Sequence, residues 1–179
     1  FCLLEDHQGG LWIGHGDNRG LHHFRNSHLE TVWGNNQVFC VHADAEGTVW
    51  FGTDAGLCRL REGAIEEYGT DDGLPDPRVM AIAEGSDKRL WIATALGFAQ
   101  WTDRGFVAAE LPPAVQEMNI GLALEDSTGS LWFALGTAGG FTLKNGRLQE
   151  LQAFESGRIH WFWEEAEGTV WIGHESGLF

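Results

Sequence analysis

The sequence is poor in basic residues, with 11 Lys and Arg against 26 Asp and Glu in 179 residues, a formal net charge of −15. A chain with this balance repels phosphate backbones and anionic lipid surfaces over about a Debye length, roughly 8 to 10 Å. We therefore expect no nucleic-acid partner. The acidic residues are scattered among turns instead of forming a tail, so the charge alone identifies no ligand.

Cysteine is also scarce, and the three cysteines show neither a CxxC pair nor a spacing to histidine that suits zinc. We expect no metal ion and no cofactor. Cys2 and Cys40 each lie ten residues before a tryptophan, so they occupy equivalent positions of two neighbouring units. Equivalent positions on stacked sheets lie about 10 Å apart, beyond the roughly 7 Å Cα separation that a disulfide allows. Both are therefore predicted to be free thiols.

Long apolar runs are missing too. No stretch approaches the about 20 apolar residues of a membrane-spanning helix, and no signal peptide is visible. The chain begins at Phe1 without a methionine and ends at Phe179 within a repeat. We therefore expect the sequence to be an excerpt of a longer polypeptide.

What the sequence does contain is a repeat. A tryptophan returns at spacings of 38, 41, 41 and 39 residues, each time after an acidic turn and before a Gly-Leu or Gly-Phe pair. These tryptophans are Trp12, Trp50, Trp91, Trp132 and Trp171. A period near 40 residues indicates supersecondary units that bury their apolar faces only by stacking on their neighbours. We expect each tryptophan to be a wedge between two units.

Each unit has short apolar runs separated by Gly, Asp, Asn or Pro, and no run has a helical period. This pattern predicts four antiparallel strands. In the third unit the predicted strands are residues 78–84, 89–94, 97–101 and 106–110. The first strand of each unit carries apolar residues on both faces, which indicates a sheet packed between two others.

Stacked four-stranded antiparallel sheets are the blades of a β-propeller. The predicted fold is therefore all-β, with about four and a half blades of an open array. The predicted units are residues 1–36, 37–77, 78–118, 119–157 and 158–179.

A ligand site can form where equivalent positions of several blades converge. Thirteen residues before each of four tryptophans stands a hydrogen-bond donor that opens the first strand: Gln37, Arg78, Asn119 and Arg158. Such groups can bind carboxylates or sugar hydroxyls, and a solvated strand start remains the alternative. His160 lies in the most aromatic first strand, where sugar stacking and blade packing are both open. We predict these five residues as ligand-binding.

The eight histidines form no HExxH motif, and no GxSxG motif or Cys-His pair is recognisable. His15 and His174 each follow a tryptophan by three residues, where they are expected to end a strand. We predict no catalytic residue and no metal ligand.

The segment GTDDGLPDPRVMAIAEGSDKRLWIATALGF, together with EDSTGSLWFAL and EEAEGTVWIGHESGLF, resembles the two-component regulator propeller repeat. The likeness recurs five times and departs from the pattern at Lys88, which replaces a turn glycine, and at Leu135. The resemblance implies a seven-bladed propeller in the periplasmic sensor region of an inner-membrane histidine kinase or hybrid two-component protein.

On this basis the predicted function is a non-catalytic module that senses a ligand or partner for a bacterial two-component signalling protein. The implied partners are a small molecule or carbohydrate, further blades, and a signalling domain of the same chain. The resemblance leaves dimerisation of the full-length protein open. Two alternatives remain: a propeller lyase similar to streptogramin lyases, and a scaffold for protein contacts.

Overall fold

The computed structural model describes residues 1–6, 8–34, 36–85, 88–102, 105–108, 120–135, 139–144, 147–152, 157–165 and 168–179. These residues form five antiparallel sheets, each made of strands that are consecutive in the chain. Four sheets have four strands and the fifth has three. We call the sheets blades one to five in chain order.

The strand bounds are as follows. Blade one contains β1 (Cys2–Glu5), β2 (Leu11–His15), β3 (Gly20–Arg25) and β4 (His28–Trp33). Blade two contains β5 (Val38–Ala43), β6 (Val49–Thr53), β7 (Leu57–Arg61) and β8 (Ala64–Tyr68), and a 3-10 helix (Thr70–Asp72) follows it. Blade three contains β9 (Val79–Glu84), β10 (Leu90–Thr94), β11 (Gly97–Thr102) and β12 (Gly105–Ala108). Blade four contains β13 (Ile120–Glu125), β14 (Leu131–Leu135), β15 (Gly140–Lys144) and β16 (Arg147–Glu150). Blade five contains β17 (Ile159–Glu164), β18 (Val170–His174) and β19 (Gly177–Leu178).

The predicted strands of the third unit lie within one or two residues of the observed ones where both are described. The first strand begins at Val79 instead of Arg78, because Arg78 contributes only a carbonyl, which accepts the N–H of Ala95 at 3.0 Å. The predicted end of the fourth strand, residues 109–110, lies outside the described residues.

The first strands of successive blades lie beside one another: β1 by β5, β5 by β9, β9 by β13, and β13 by β17. They are therefore the inner strands, and the later strands of each blade lie further out. This arrangement is a β-propeller, as predicted. The turn that follows each inner strand, such as Asp44–Thr48, lies on what we call the turn rim. The start of each inner strand and the links between blades lie on the opposite side, which we call the linker rim.

Apolar clusters between neighbouring blades hold the array together. Trp50 of blade two is 2% exposed and belongs to one cluster with Leu90 and Ile92 of blade three. Trp12, Trp91 and Trp132 likewise share clusters with residues of the following blade. An aromatic side chain buries roughly 150 to 250 Å², so each wedge contributes at most about 4 to 6 kcal/mol of hydrophobic transfer.

Glycine in the second strand allows the blades to approach closely. A Cβ on Gly52 would lie 2.6 Å from Cys40 Sγ and 2.6 Å from Val79 of the next blade. Blade five has the same relationship, since a Cβ on Gly173 would lie 2.3 Å from the ring of Trp161. A first-strand side chain therefore folds across each of these glycines, and in blade two it does so against Val79 of the neighbouring blade.

Cys2 and Cys40 are free thiols, as predicted, and Cys58 is also free. Cys2 and Cys40 each point at a carbonyl of the next inner strand, those of Val38 and Val79. Burial raises the pKa of Cys40 far above its ordinary value and, with a smaller effect of Glu67, raises the pKa of Cys58 to about 12. All three therefore behave as small apolar residues.

Exposed apolar side chains occur mainly on the two end blades. Leu3 of blade one is 63% exposed, and Trp163 of blade five is 56% exposed. The equivalents of Leu3 in blades two to four, Val41, Ile82 and Ala123, are half-buried in the clusters between blades. In the described part of the chain, no helix is long and apolar enough to cross a membrane.

Candidate functional site

The turn rim is built from an acidic turn that also holds the tryptophan of its blade. In blade two, Asp44 Oδ1 accepts the backbone N–H groups of Glu46 at 3.0 Å and Thr48 at 2.8 Å. Its other oxygen accepts the indole Nε1–H of Trp50 at 2.9 Å. One carboxylate thus fixes both the turn and the buried wedge.

Asp126 has the same role in blade four. It accepts the N–H groups of Thr128 and Ser130 and, at 2.7 Å, the indole of Trp132. Burial acts to raise the pKa of Asp126, but the hydrogen bonds from Trp132, Thr128 and Ser130 outweigh it and lower the pKa below 3.8. The anionic form is therefore the one that the fold stabilises.

In blade one the acid of the turn contacts a histidine instead of the indole N–H of the tryptophan. Asp6 Oδ2 lies 2.7 Å from His23 Nε2, and the His23 ring stacks on Trp12 at a centroid distance of 4.0 Å. The buried Nε1 of Trp12 has no hydrogen-bond partner among the described residues. The position opposite the tryptophan on the third strand thus covers the indole face.

In blade two this covering position is Arg59, paired with Trp50 in the ladder. Its guanidinium carbon lies 5.4 Å from the Trp50 ring centroid, within cation–π range. One terminal nitrogen lies 3.4 Å from Glu66, and the buried Nε has no partner among the described residues. The Arg59 guanidinium thus lies over the Trp50 ring, and only part of its hydrogen-bonding capacity is used.

Blade three makes the same turn from different residues. Gly85 stands where the other blades have an acid, and Lys88 stands where they have a glycine. Lys88 adopts φ 64°, close to φ 82° at Gly47, and its N–H bonds the Gly85 carbonyl at 2.8 Å as Gly47 bonds Asp44. The left-handed conformation costs a residue with a Cβ about 1 to 2 kcal/mol.

Together these groups line a cleft of about 620 Å³ between blades two and three on the turn rim, which we call the inter-blade cleft. Its volume is in the range of small-molecule sites. Its cationic residues are Arg59, Arg61, Lys88 and Arg89. Its acidic residues are Asp44, Glu46 and Glu84. The aromatic part of the wall consists of Trp50 and Trp101, whose rings lie 5.4 Å apart.

The predicted strand-start residues lie on the linker rim. Gln37, Arg78 and Arg158 each come directly before an inner strand. Arg78 and Arg158 are exposed, and their carbonyls accept equivalent N–H groups from Ala95 and Glu175. The predicted partner Asn119 lies outside the described residues.

The side chain of Arg78 is placed by its neighbour Asp76, whose Oδ1 lies 3.7 Å from the Arg78 Nε. His160 is exposed on β17, at a β-bulge where the register shifts between Ile159 and Trp161. An inner strand of six residues is about 20 Å long, so Gln37 and Arg78 lie roughly that far from the inter-blade cleft. The binding roles of Gln37, Arg78, Arg158 and His160 stay predictions.

Two of the histidines pair with carboxylates. His42 Nε2 lies 3.2 Å from Glu84 of blade three, and His23 is paired with Asp6. His15 and His174 end β2 and β18, as expected. Within the ranges that the structure describes, no group of three or more His, Cys, Asp or Glu side chains could hold a metal ion.

Sequence reasoning did not find the inter-blade cleft, because its residues come from two repeats and are spread over two turns and five strands. One signal was present: Lys88 departs from glycine at a position that needs positive φ. A second was the cluster of cations in a chain with only 11 of them.

The fold is a β-propeller whose repeats share an acidic turn and a buried tryptophan. A comparison with family models identifies this repeat. The model described as two component regulator propeller matches residues 33–55 and 73–95. These two segments match the same repeat that the sequence resemblance predicted. No curated protein matches the sequence.

Solved structures share the fold at low identity. Virginiamycin B lyase from Staphylococcus aureus has a TM-score of 0.78 at 18% identity, over 100% of this chain and 68% of that one. The extracellular domain of a protein described as a hybrid two component system from B. thetaiotaomicron has a TM-score of 0.77 at 21% identity, over 96% of this chain. PorZ from Porphyromonas gingivalis has a TM-score of 0.76 at 11% identity, over 99% of this chain.

This chain spans only 26% of the length of the B. thetaiotaomicron domain and 31% of PorZ. At these identities the likeness shows the propeller fold and nothing finer.

Proposed function

We propose that this chain is a non-catalytic sensor module, which binds a ligand or partner on the propeller and passes the change to a two-component signalling domain. The observation that carries the proposal is the family repeat, matched at residues 33–55 and 73–95. The extracellular location of the B. thetaiotaomicron relatives supports a placement outside the cytoplasm, in the periplasmic part of an inner-membrane protein.

A propeller suits this role because several blades can contribute to one site while each stays rigid. The inter-blade packing through Trp50 and its counterparts connects neighbouring blades directly. A ligand that contacts two blades is therefore able to favour one relative arrangement over another, provided that its affinity differs between the two.

The proposal is tested by the full reading frame that encodes this chain. We expect a membrane-spanning segment and a histidine-kinase core on the same polypeptide. A complete reading frame with neither of them, and with no other signalling domain, would contradict a sensor module. Such a result would leave a scaffold for protein contacts as the better explanation.

A lyase is the second candidate function, and the His–carboxylate pairs Asp6–His23 and His42–Glu84 are the observation that favours it. One S. aureus structure is described as a catalytically inactive H270A lyase with quinupristin, so a histidine matters in that protein. The test is incubation of the full-length protein with quinupristin, followed by liquid chromatography. We expect no loss of quinupristin, and rapid loss that requires His42 would favour the lyase.

A further inference from the structure

The inter-blade cleft has more cationic than acidic residues, in a chain that is strongly acidic as a whole. The inter-blade cleft contains four of the 11 Lys and Arg residues but three of the 26 Asp and Glu residues. The remaining residues carry a large excess of acids, so a local excess of cations favours the approach of an anion. The cleft is therefore a described surface on which a negatively charged group can be accommodated.

The acids in the cleft are partly used by the fold. Asp44 accepts three hydrogen bonds from its own turn and from Trp50. Glu84 lies 3.2 Å from His42. The cations are less engaged, because neither Arg61 nor Lys88 forms an ion pair with a described residue, and the Arg59 Nε has no acceptor.

Lys88 provides an independent observation. Gly9, Gly47, Gly129 and Gly168 occupy the equivalent position in the other blades, with φ between 76° and 82°. Lysine at φ 64° keeps the same turn, at a conformational cost that glycine avoids. Nothing in the fold requires a cation there, and the side chain lines the cleft. A non-glycine residue held at positive φ at the edge of a cleft is consistent with a functional role for its side chain.

The cleft wall also has an apolar part. Trp101 is half-buried and packs on Trp50, Tyr68 and Phe106 at centroid distances of 5.4, 5.2 and 4.8 Å. This packing fixes the indole, so it offers a rigid face for a ring or another flat apolar group. Charge and aromatic surface thus meet within one cleft.

We propose that the inter-blade cleft binds a small organic anion, whose carboxylate, sulfate or phosphate oxygens contact Arg59, Arg61 and Lys88 while its ring lies against Trp101. The inference rests on the proposed sensor function and assigns a chemical class to its ligand. Because Lys88 and Trp101 belong to blade three and both arginines to blade two, the anion bridges two blades.

The first experiment uses a trisulfonated pyrene dye as the probe and fluorescence anisotropy of the dye with the full-length protein. We expect saturable binding that weakens as salt is added, since the contacts are partly exposed ion pairs. Glucuronate, inorganic sulfate and inorganic phosphate compete in separate titrations, and the strongest competitor identifies the preferred oxyanion. Glucose should not compete. Absence of dye binding, or equal competition by glucose, would overturn the proposal.

The second experiment locates the site with matched variants. Arg59→Gln, Arg61→Gln and Lys88→Gly should each weaken dye binding about tenfold, as expected for loss of one charge-assisted contact. Arg25→Gln is the control, because Arg25 ends β3 as Arg61 ends β7 but does not line the cleft. Equal losses in the control and the cleft variants would show a general charge effect and refute the site.

Lys88→Gly separates binding from folding. The variant removes a strained residue and restores the turn glycine of the other blades, so its urea midpoint should equal or exceed that of the wild type. Weaker dye binding together with unchanged or higher stability supports the proposal. Unchanged dye binding in this variant contradicts it, whatever the arginine variants do.

Failure of this inference can be distinguished from failure of the sensor function. If the dye does not bind but the full-length protein still answers a growth-medium component by a change in phosphorylation, only the anion cleft is wrong. If the cleft variants lose dye binding but no component changes phosphorylation, the cleft exists and the sensor function is wrong.

Discussion

Glu125 of blade four accepts a hydrogen bond from the indole Nε1 of Trp91 in blade three. In blades two, four and five the acceptor is instead an acid six residues before the tryptophan, in the same blade. Blade three has Gly85 at that position, and a Cβ there would lie 2.5 Å from Glu125 Oε2. The carboxylate of one blade thus occupies the place of a missing side chain in its neighbour.

Because Glu125 replaces the acid that the other blades have in the turn, an acid at position 85 is predicted to compensate for the loss of Glu125. Glu125→Ala should lower the free energy of unfolding by about 1 to 3 kcal/mol, because the part-buried Trp91 indole loses its acceptor. Adding Gly85→Asp to that variant restores an acid six residues before Trp91 and should recover part of the loss. Gly85→Asp alone should destabilise, since both carboxylates then compete for one space. Urea unfolding of the four proteins checks the cycle, and a double variant no more stable than Glu125→Ala contradicts it.

Asp126 predicts an acid-sensitive part of the stability. Its folded pKa is lowered below 3.8, so its contribution is complete above the unfolded pKa and is lost as pH falls through the folded pKa. Unfolding free energies measured between about pH 5 and about pH 2 should fall more steeply for the wild type than for Asp126→Asn. At neutral pH the variant should be less stable by about 1 to 3 kcal/mol. Parallel pH profiles would show that Asp126 does not carry this dependence.

The close approach at Gly52 predicts an overpacking effect. Gly52→Ala places a methyl group 2.6 Å from Cys40 Sγ and from Val79, so we expect a loss of about 1 to 3 kcal/mol in thermal or urea unfolding. Gly16→Ala is the matched control, because nothing lies within 4 Å of its Cβ position. The control should be neutral to within about 0.5 kcal/mol. A neutral Gly52→Ala would mean that the blades separate easily there.

The remaining prediction concerns ligand binding by the residues at the strand starts on the linker rim. If Arg78 and Arg158 bind a ligand with the axial donors of other blades, Arg78→Ala and Arg158→Ala should each lose about 1.5 to 3 kcal/mol of binding free energy. The measurement is the concentration of the activating medium component that gives half of the phosphorylation change in the full-length protein. Arg25→Ala serves as control. Unchanged values in both variants, with an intact circular dichroism spectrum, would exclude an axial ring of donors.

The repeat made most of the fold predictable. The spacing of the tryptophans located the blades, and the alternation of apolar runs with turn residues placed the strands of the third unit within one or two residues. These features are local, because each strand and turn is decided by residues close together in the chain. The free state of Cys2 and Cys40 followed from their equivalent positions on two stacked sheets.

Contacts between blades were not predictable in the same way. Nothing in the sequence pairs Glu125 with Trp91, 34 residues away, although Gly85 in place of the usual acid was a visible gap in the pattern. The inter-blade cleft likewise depends on how far Arg59 and Lys88 reach from two different repeats. Sequence reasoning considered donors at the strand starts on the linker rim, and it did not consider binding by Arg59, Arg61, Lys88 and Arg89, which line the cleft on the turn rim.

The central claim, that this propeller is the sensor of a two-component protein, is tested most directly by phosphohistidine formation. The full-length protein in lipid bilayers is incubated with ATP, with and without fractions of the growth medium, and phosphorylated protein is quantified over time. The account predicts phosphohistidine whose rate of formation changes with at least one fraction, and loss of that change when residues 1–179 are deleted from the protein. Absence of any phosphohistidine, or a rate that no fraction alters, would contradict it.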